Sequence, residues 1–597
     1  MKFFKTLLAS ILGTLIGALL IILILFAIGI SSSGESEPYI KDQSVLHIEL
    51  SGNIPDRTPS DPFQEIFQPQ GINTVSLEGL KANLAKATSD DRIGGVLLSI
   101  SAVSDSWSKM EEVHNLVSQF RDSTDKFIYA STDDIGYSEK GYFLATATDS
   151  IFSPPESFFE FDGFYIQTSF YEKMFEEFGV KPEITRSGKF KSAVEPYFRE
   201  EYSEENRLQL NAILNEFSET YVEKVAKATG KTPNQVHELL NSAPGLSMKR
   251  AFENGLVHLA LYPNELDSLI KTHLGLSDDD DLNKVKYKRY NKVTKESAGL
   301  STGSNSDKIA VLHASGTILP IAPQGFPGAE QAVITADKIK EELDDIRADD
   351  DVKALVVRVN SPGGAGTTSD LIWQMLRETS KEIPVIASMG SVAASGGYYI
   401  AMAADSIVAS PTTITGSIGV FNTKFNTREL FSDKIGITFD VVETHEHADW
   451  LNPQHHFTDV EQQAFQRTAD QFYETFIGKV AMSRSLTVDE VDERAQGRVW
   501  IGSDALDQQL VDLLGGLDKA IEVAAESANL ESYSVVSYPA PKDIFEILYG
   551  SGMTQAQALI SALNPNPYAD YLQPVQEMFM LKSGQPMTLM PYRLEIK

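Results

Sequence analysis

The chain has 597 residues, of which 42% are hydrophobic and 22% charged, as in an ordinary globular protein rather than a disordered one. This length exceeds what one hydrophobic core organises, so we expect at least two large domains. The formal net charge of −32 argues against nucleic acid or anionic lipid as the main partner, because both would be repelled. Because there is no cysteine, disulfides, thiolate nucleophiles and zinc–thiolate sites are excluded.

The N-terminus predicts a membrane anchor. Lys2 and Lys5 precede residues 6–30, which carry no charge. At about 1.5 Å per helical residue, such a run can cross a bilayer core of roughly 30 Å. No convincing A-x-A cleavage site follows, so we expect an uncleaved anchor rather than a removed signal peptide. The lysines favour a cytoplasmic N-terminus, which would place the body of the chain outside, with residues 1–31 as the transmembrane anchor and 32–43 as a linker.

Two halves of the chain carry the same series of motifs. A period this long indicates duplicated domains rather than a solenoid of short repeats. We therefore expect a first repeat at 44–276, a polar linker at 277–307, a second repeat at 308–540 and a C-terminal extension at 541–597, whose role the sequence does not indicate. The matching segments are 45–55 with 309–320, 93–100 with 352–359, 141–151 with 397–407, and 217–225 with 472–480.

Inside each repeat, short apolar runs rich in β-branched residues alternate with helical patterns. Residues 354–359 and 385–387 are typical of buried strands, whereas 369–378 and 398–404 are typical of helices. This alternation predicts βαβ units. The expected fold class is therefore α/β, with two tandem repeats whose mostly parallel sheets are covered by helices.

Two glycine-rich segments of the second repeat are compatible with acyl transfer. Gly363 and Gly364 follow a predicted buried strand, and they would let backbone N–H groups approach a ligand oxygen closely. Ser395 lies where a loop enters a predicted helix, so its oxygen could attack a carbonyl. The Gly396 N–H could then stabilise the oxyanion that forms. Taken alone, a plain turn and a helix N-cap explain these two features better.

A serine nucleophile also needs a base. The second repeat has five histidines, but none of them stands in a recognisable triad signature. A lysine can serve instead if burial lowers its pKa, because desolvation disfavours the ammonium form. The five histidines are His313, His445, His447, His455 and His456.

Three segments together resemble a known family. Residues 187–196 (Ser-Gly-Lys-Phe-Lys-Ser-Ala-Val-Glu-Pro) resemble the lysine segment of the signal peptide peptidase A family, and 393–399 (Ala-Ala-Ser-Gly-Gly-Tyr-Tyr) resemble its serine segment. Residues 360–364 (Asn-Ser-Pro-Gly-Gly) are similar to the oxyanion loop that this family shares with Clp-type proteases. The resemblance covers essentially the whole chain, including the anchor and the duplication. It implies tandem repeats of the Clp/crotonase superfamily and a Ser-Lys dyad.

The resemblance also implies a role for individual residues. Spacing alone does not choose between Lys189 and Lys191 as the base, and it is the resemblance that selects Lys191. The implied site consists of the nucleophile Ser395, the general base Lys191, the oxyanion donors Gly396, Gly363 and Gly364, and the lysine-orienting Ser417.

The internal repeat offers an independent check on this assignment. When the repeats are aligned, Glu139 stands opposite Ser395, and residues 101–104 stand opposite the Gly-Gly loop. In the second repeat, Ala448 stands opposite Lys191. Each repeat therefore lacks what the other retains, which predicts one dyad per chain, shared between the repeats.

The family resemblance further implies apolar peptide substrates, especially signal peptides, cleaved at the periplasmic face of the bacterial inner membrane. It implies a homotetramer, no metal or cofactor and no nucleic-acid partner, and no nucleotide-binding fingerprint is apparent in the sequence. An acyl-CoA enzyme of the crotonase branch would share the sheet and the oxyanion loops, but it would need neither the anchor nor a Ser-Lys pair. A binding protein with a degenerate protease fold would not need to retain the serine, the lysine and both oxyanion elements.

Overall fold

The computed structural model describes most of both repeats. Within the described residues, no helix is both long and apolar enough to cross a membrane. The predicted anchor lies outside this part of the chain except at positions 13 and 17, and the predicted C-terminal extension lies outside it except at 586–590. The described residues are 13, 17, 37–57, 75–133, 135–242, 245–300, 306–322, 333–540 and 586–590.

The first repeat contains ten described strands, numbered in chain order. They are β1 (Ser44–Gly52), β2 (Ile93–Val103), β3 (Phe127–Thr132), β4 (Gly136–Tyr137), β5 (Ser150–Ser153), β6 (Phe158–Phe159), β7 (Lys181–Ser187), β8 (Leu246–Ser247), β9 (Leu259–Ala260) and β10 (Lys284–Lys286). Its helices are α1 (Leu77–Ser89), α2 (Trp107–Ser123), α3 (Glu139–Ala145), α4 (Glu172–Phe178), the 3₁₀ turn Glu195–Tyr197, α5 (Glu204–Thr229), α6 (Pro233–Leu240), α7 (Met248–Glu253), α8 (Pro263–His273) and α9 (Tyr287–Asn291).

Six of these strands form a fully parallel sheet in the order β10-β1-β2-β3-β5-β9. Successive residues of β2 point to opposite faces, and both faces are covered. Leu98 packs into the main core of the repeat, whereas its neighbour Leu97 packs against Leu266 and Ile270 of α8. Burial on both faces explains why these strands read as continuous apolar runs. A small second sheet has the order β4-β6-β8.

Part of the predicted linker, 277–307, belongs to this sheet. Strand β10 pairs in parallel with the edge strand β1, and Val285 and Tyr290 are buried against the repeat. Only Val285 of its three residues is buried, so the segment is polar in composition. For this reason the sequence predicted a linker here.

The second repeat contains the remaining strands and helices. The strands are β11 (Lys308–Ser315), β12 (Thr317–Ile318), β13 (Val333–Ile334), β14 (Val352–Ser361), β15 (Gly363–Ala365), β16 (Val385–Ala394), β17 (Ser406–Ala409), β18 (Ile414–Gly416), β19 (Val420–Asn426), β20 (Val499–Ile501), β21 (Leu513–Leu514) and β22 (Ser534–Tyr538), and β23 (Met587–Leu589) follows from the C-terminal extension. The helices are α10 (Ala336–Ala348), α11 (Gly366–Thr379), α12 (Gly396–Ala401), the π-helical segment Leu430–Ile435, α13 (Asp459–Arg484), α14 (Val488–Arg494), α15 (Gly502–Asp507) and α16 (Leu517–Ser527).

The central sheet of the second repeat runs β20-β18-β16-β14-β11-β22, with β17 and β21 continuing from β16. All its pairs are parallel except β18 with β20. The α/β class, the parallel sheets and the two repeats predicted from the sequence are therefore confirmed.

Matching hydrogen bonds show that the two repeats share one fold. The Tyr142 hydroxyl donates to the carbonyl of Leu256 at 2.7 Å, and the Tyr398 hydroxyl donates to the carbonyl of Leu510 at 2.9 Å. Each tyrosine lies in the helix that follows the third long strand of its sheet. Tyr142 and Tyr398 therefore occupy equivalent places in the two repeats, in agreement with the sequence alignment.

A third sheet joins the two repeats and is mixed rather than parallel. Its order is β13-β12-β15-β23-β19-β7, and it includes strands from both repeats and from the C-terminal extension. Strand β7 of the first repeat pairs antiparallel with β19 over seven residues, from Ser187 opposite Val420 to Lys181 opposite Asn426. This ladder brings the segment that follows β7 into the second repeat.

Candidate active site

Ser395 lies at a sharp turn between a strand and a helix. Strand β16 ends at Ala394 and helix α12 begins at Gly396. Between them Ser395 has φ of +57° and ψ of −114°, a strained conformation for a residue with a side chain. Its N–H donates to the carbonyl of Gly416 at 2.8 Å, and its side chain makes no N-cap hydrogen bond. The structure therefore does not support helix capping as the role of this hydroxyl.

The Lys191 amine is the neighbour of that hydroxyl. Its Nζ lies 2.7 Å from Ser395 Oγ, and 3.0 Å from both the carbonyl oxygen and the hydroxyl oxygen of Ser417. A neutral amine has two N–H donors and one lone pair. The Ser417 carbonyl can only accept a hydrogen bond, and the Ser417 hydroxyl can accept the second. The lone pair is then left for the hydroxyl hydrogen of Ser395.

Burial sets the charge of this amine. Lys191 is completely buried, and desolvation lowers its pKa well below the ordinary value of 10.5. Lys189, two residues earlier, is exposed, and its ammonium lies 5.3 Å from the centre of the Phe190 ring. The structure therefore brings Lys191, and not Lys189, to Ser395.

A loop of the second repeat makes room for the lysine. Gly497 has a positive φ of +76°, and a Cβ at this position would lie 2.6 Å from Lys191 Cβ. The Phe190 N–H donates to the carbonyl of the preceding Gln496 at 2.8 Å, which fixes the lysine loop to this turn. Glycine is therefore needed at 497 both for its backbone conformation and for the packing of Lys191.

The two segments predicted to form an oxyanion hole also meet. Gly363 has φ of +99°, and a Cβ on this residue would lie 2.7 Å from the Gly396 nitrogen. The Gly363 N–H donates to Ser361 Oγ at 3.1 Å, so this predicted donor has a partner within its own loop. Gly364 stands opposite Thr588 of strand β23 in the ladder.

The chain matches a family of peptidases. The model of "Peptidase family S49" matches residues 121–274 and 377–531, one stretch in each repeat. The chain is also 36% identical to "Serine protease SPPA, chloroplastic" of Arabidopsis thaliana, over 82% of this chain and 70% of that protein. The chain belongs to peptidase family S49. It is therefore a serine protease, and the predicted resemblance to the signal peptide peptidase A family is confirmed.

A further relative is similar over most of its length. The S49 protease is 31% identical to "Protease 4" of Haemophilus influenzae, over 85% of this chain and 83% of that protein. Among solved structures, a mutant of ClpP1 from Listeria monocytogenes matches with a TM-score of 0.23 and 15% identity, covering 35% of this chain and 94% of that one.

Two histidines of the second repeat are engaged elsewhere in the S49 protease. His447 Nδ1 and His455 Nε2 each lie 2.8 Å from a carboxylate oxygen of Glu461. In the part of the chain that the structure describes, the side-chain hydrogen-bond partner of Ser395 is Lys191. This arrangement agrees with the absence of a triad signature in the sequence.

Gln209 is a residue of the site that the sequence did not indicate. It lies on α5, it is buried, and its Nε2 donates to Ser192 Oγ at 2.8 Å. Its Oε1 accepts a hydrogen bond from the Val499 N–H of the second repeat at 3.0 Å. Gln209 thus links the lysine loop to strand β20. The only signal in the sequence is a glutamine next to Leu210 on the buried side of an amphipathic helix.

Proposed function

We propose that this S49 protease is a membrane-anchored endopeptidase with a Ser395–Lys191 dyad. It hydrolyses signal peptides and other apolar peptides at the periplasmic face of the bacterial inner membrane. The observation that carries the proposal is the 2.7 Å contact between the Ser395 hydroxyl and a completely buried lysine amine. A buried amine whose pKa is lowered can act as a general base, whereas an exposed lysine is charged at neutral pH.

In the first step, neutral Lys191 takes the hydroxyl proton of Ser395 while Oγ bonds to the peptide carbonyl carbon. The Gly396 N–H stabilises the negative charge on the carbonyl oxygen, with a second N–H from the loop at 363–364. Gly363 supplies this second N–H only when it leaves Ser361 Oγ. The lysine then gives its proton to the departing amine as the C–N bond breaks. A water molecule, deprotonated by the same lysine, hydrolyses the acyl-enzyme and regenerates Ser395.

Ser417 orients the base in this mechanism. Its two oxygens accept from the amine, and its own backbone is fixed because the Ser417 N–H donates to the Arg498 carbonyl at 2.6 Å. With both N–H groups held, the lone pair of the neutral amine points toward Ser395. No metal or cofactor takes part in the proposed steps.

The anchor and the assembly belong to the proposal as well. The uncharged run at 6–30 behind Lys2 and Lys5 supports a single-pass anchor with the protease body outside the cytoplasm. The homotetramer rests on the family resemblance. After cell fractionation, the full chain is expected to stay with the membrane through a high-salt wash, and a chain lacking residues 1–43 is expected not to. Release of the full chain by salt would contradict the anchor.

The test of the activity is cleavage of a synthetic apolar signal peptide by the full-length protein. Wild type is expected to cleave, and Ser395→Ala and Lys191→Ala are expected to lose at least about 10³-fold in kcat/KM while remaining folded. Lys189→Ala is the matched control and is expected to keep full activity, because this lysine is exposed. Full activity of Lys191→Ala would place the base elsewhere and overturn the proposed dyad.

A further inference from the structure

Three carboxylates meet in the first repeat at the place that corresponds to the candidate active site of the second. Glu139 is the counterpart of Ser395, and Glu160 directly follows β6, which pairs with β4 as β18 pairs with β16. Asp162 comes two residues later. One carboxylate oxygen from each of these three residues lies within 4.8 Å of the other two. In the described part of the chain, no other group of three acidic or histidine side chains meets this condition.

The carboxylate cluster is fixed to the backbone on one side and open to solvent on the other. Glu139 is buried, and its Oε1 accepts a hydrogen bond from the Asp162 N–H at 3.2 Å. Glu160 is half-buried and shares a proton with Glu139 through a hydrogen bond between the two side chains. The Asp162 side chain is exposed. A dissolved cation can therefore reach the cluster from the side of Asp162.

A buried hydroxyl next to the cluster is an independent sign of a ligand. Tyr221 of α5 is completely buried, and among the described residues its hydroxyl has no hydrogen-bond partner. Burial raises the pKa of Tyr221, and nearby charges, those of Glu139, Glu160 and Asp162 among them, raise it further. The hydroxyl thus lies within the field of all three carboxylates. Because an unpaired buried hydroxyl is costly, its position indicates a further polar group at the cluster.

Aromatic contacts hold the Tyr221 hydroxyl in this position. Phe161, which lies between Glu160 and Asp162 in the chain, has its ring centre 5.9 Å from that of Tyr221. The ring centre of Phe164 lies 5.4 Å away, and that of Trp107 lies 6.0 Å away. These rings fix the phenol against the segment that carries the carboxylates and keep its hydroxyl away from solvent.

We propose that Glu139, Glu160 and Asp162 bind a divalent cation of the calcium class, with the Tyr221 hydroxyl bonded to a water molecule in the coordination shell of the ion. Ca²⁺ accepts about six to eight oxygen ligands in a flexible arrangement, whereas Mg²⁺ demands a nearly ideal octahedron. Three carboxylates at unequal depth, one on a helix and two on a loop, fit the flexible arrangement. The ion takes the place of the proton that Glu139 and Glu160 share, and it ties helix α3 to the segment after β6.

The first test counts the calcium ions bound to the full-length protein. The parent protein carries Ser395→Ala, so binding is measured without catalysis, and it is dialysed to equilibrium against about 1 mM CaCl₂. Adding Asp162→Asn is expected to remove about one bound ion per chain. Asp345→Asn is the matched control, because Asp345 is an exposed residue of another acidic surface, and it is expected to leave the count unchanged. Equal counts for Asp162→Asn and the parent would overturn the proposal.

The second test concerns the hydroxyl. Tyr221→Phe removes the oxygen and keeps the ring, so it is expected to raise the Kd for Ca²⁺ about tenfold. Tyr142→Phe is the matched control, because the hydroxyl of this buried tyrosine already donates to the carbonyl of Leu256. An unchanged Kd in Tyr221→Phe would overturn the role given to the hydroxyl. Binding of Mg²⁺ as tight as that of Ca²⁺ would overturn the assignment to the calcium class.

Thermal unfolding separates this site from unspecific binding to the acidic surface. About 1 mM CaCl₂ is expected to raise the melting temperature of the parent by about 2 °C and to leave that of Asp162→Asn unchanged. An equal rise in both proteins would assign the effect to the general surface charge and overturn the proposal. Because every protein in these tests carries Ser395→Ala, the results do not depend on the proposed dyad.

Discussion

The two repeats share a fold but differ at one turn. In the first repeat, Glu139 is the first residue of helix α3, and the preceding Ser138 caps this helix by accepting from the Gly141 N–H at 3.2 Å. In the second repeat, Ser395 occupies the position equivalent to Glu139, but its φ of +57° keeps it outside helix α12. The strained conformation therefore belongs to the repeat that carries the candidate nucleophile.

The strands beside these turns differ in the same way. In the first repeat, β2 continues unbroken to Val103, so no Gly-Gly loop lies next to Glu139. In the second repeat, β14 ends at Ser361, and the Gly-Gly loop begins a new strand in the joining sheet. Burial and the neighbouring Glu160 raise the pKa of Glu139 to about 8. The fold therefore persists without the site, and the site needs a segment from each repeat.

The largest expected effect is a difference in activity between variants of the two serines at these turns, Ser395 and Ser138. Ser395→Ala is expected to lower kcat/KM at least about 10³-fold and to leave the free energy of unfolding nearly unchanged, because its hydroxyl caps no helix. Ser138→Ala is expected to keep activity and to lose about 1 kcal/mol of stability, because its hydroxyl is an N-cap. Peptidase assays and urea unfolding of both variants check this pair. Loss of activity in Ser138→Ala would contradict the division of roles between the repeats.

The second prediction concerns the lysine that the first repeat contributes. Lys191→Met is expected to be inactive yet more stable, with a melting temperature higher by about 2–4 °C at neutral pH. The unfolded chain keeps the amine protonated up to its ordinary pKa of 10.5, and the folded chain buries it neutral, so folding releases a proton at a cost. The gain should shrink as the pH approaches 10.5, where the unfolded lysine also loses its proton.

Calorimetry from pH 6 to 10 measures this gain, and Lys189→Met is the matched control. Because Lys189 is exposed, its replacement is expected to change neither activity nor stability by much. A melting temperature of Lys191→Met below that of wild type would contradict the assignment of a costly buried lysine.

The third prediction concerns the orientation of the base. Ser417→Ala removes one of the two oxygens that hold the amine and keeps the carbonyl oxygen, which lies 3.0 Å away. We expect kcat to fall by up to about 100-fold with little change in KM, because a misplaced base slows the reaction more than it weakens binding. Steady-state kinetics on one peptide check this prediction. A rise in KM at unchanged kcat would assign Ser417 to substrate binding instead.

The smallest expected effect is at Gln209, which connects the lysine loop of the first repeat to strand β20 of the second. Gln209→Leu is expected to lower kcat about tenfold and to move the pH dependence of kcat/KM, because the lysine loop loses its link to Val499. Gln374→Leu, at an exposed position on α11, is the control. An unchanged pH profile together with a lower melting temperature would make Gln209 a purely structural residue.

The sequence predicted the elements with long apolar patterns and missed the short ones. Residues 354–359 and 369–378 lie in β14 and α11 as expected, because each has many apolar residues at the right period. The predicted helix 398–404 ends earlier, at Ala401. Four strands of the joining sheet, β12, β13, β15 and β23, have only two or three residues and no period to detect, so neither the sheet nor strand β23 could be foreseen.

Only part of the site could be predicted from local sequence patterns, because the rest depends on contacts between distant segments. Ser395 and the Gly-Gly loop lie at turns with a recognisable local pattern. The choice between Lys189 and Lys191 depends on burial under Gly497, which lies about 300 residues later in the chain. No local spacing carries that information, and the family resemblance supplied it.

The central claim is that neutral Lys191 takes the proton of Ser395. The most direct measurement is the rate at which a serine-reactive fluorophosphonate labels the protein as a function of pH, with the labelled residue located by mass spectrometry. We expect labelling at Ser395 that rises with pH and levels off well below 10.5, because protonated Lys191 cannot accept a proton. In Lys191→Met the labelling should be at least about 100-fold slower at every pH in this range. Labelling of Lys191→Met at the wild-type rate, or at a serine other than Ser395, would contradict the account.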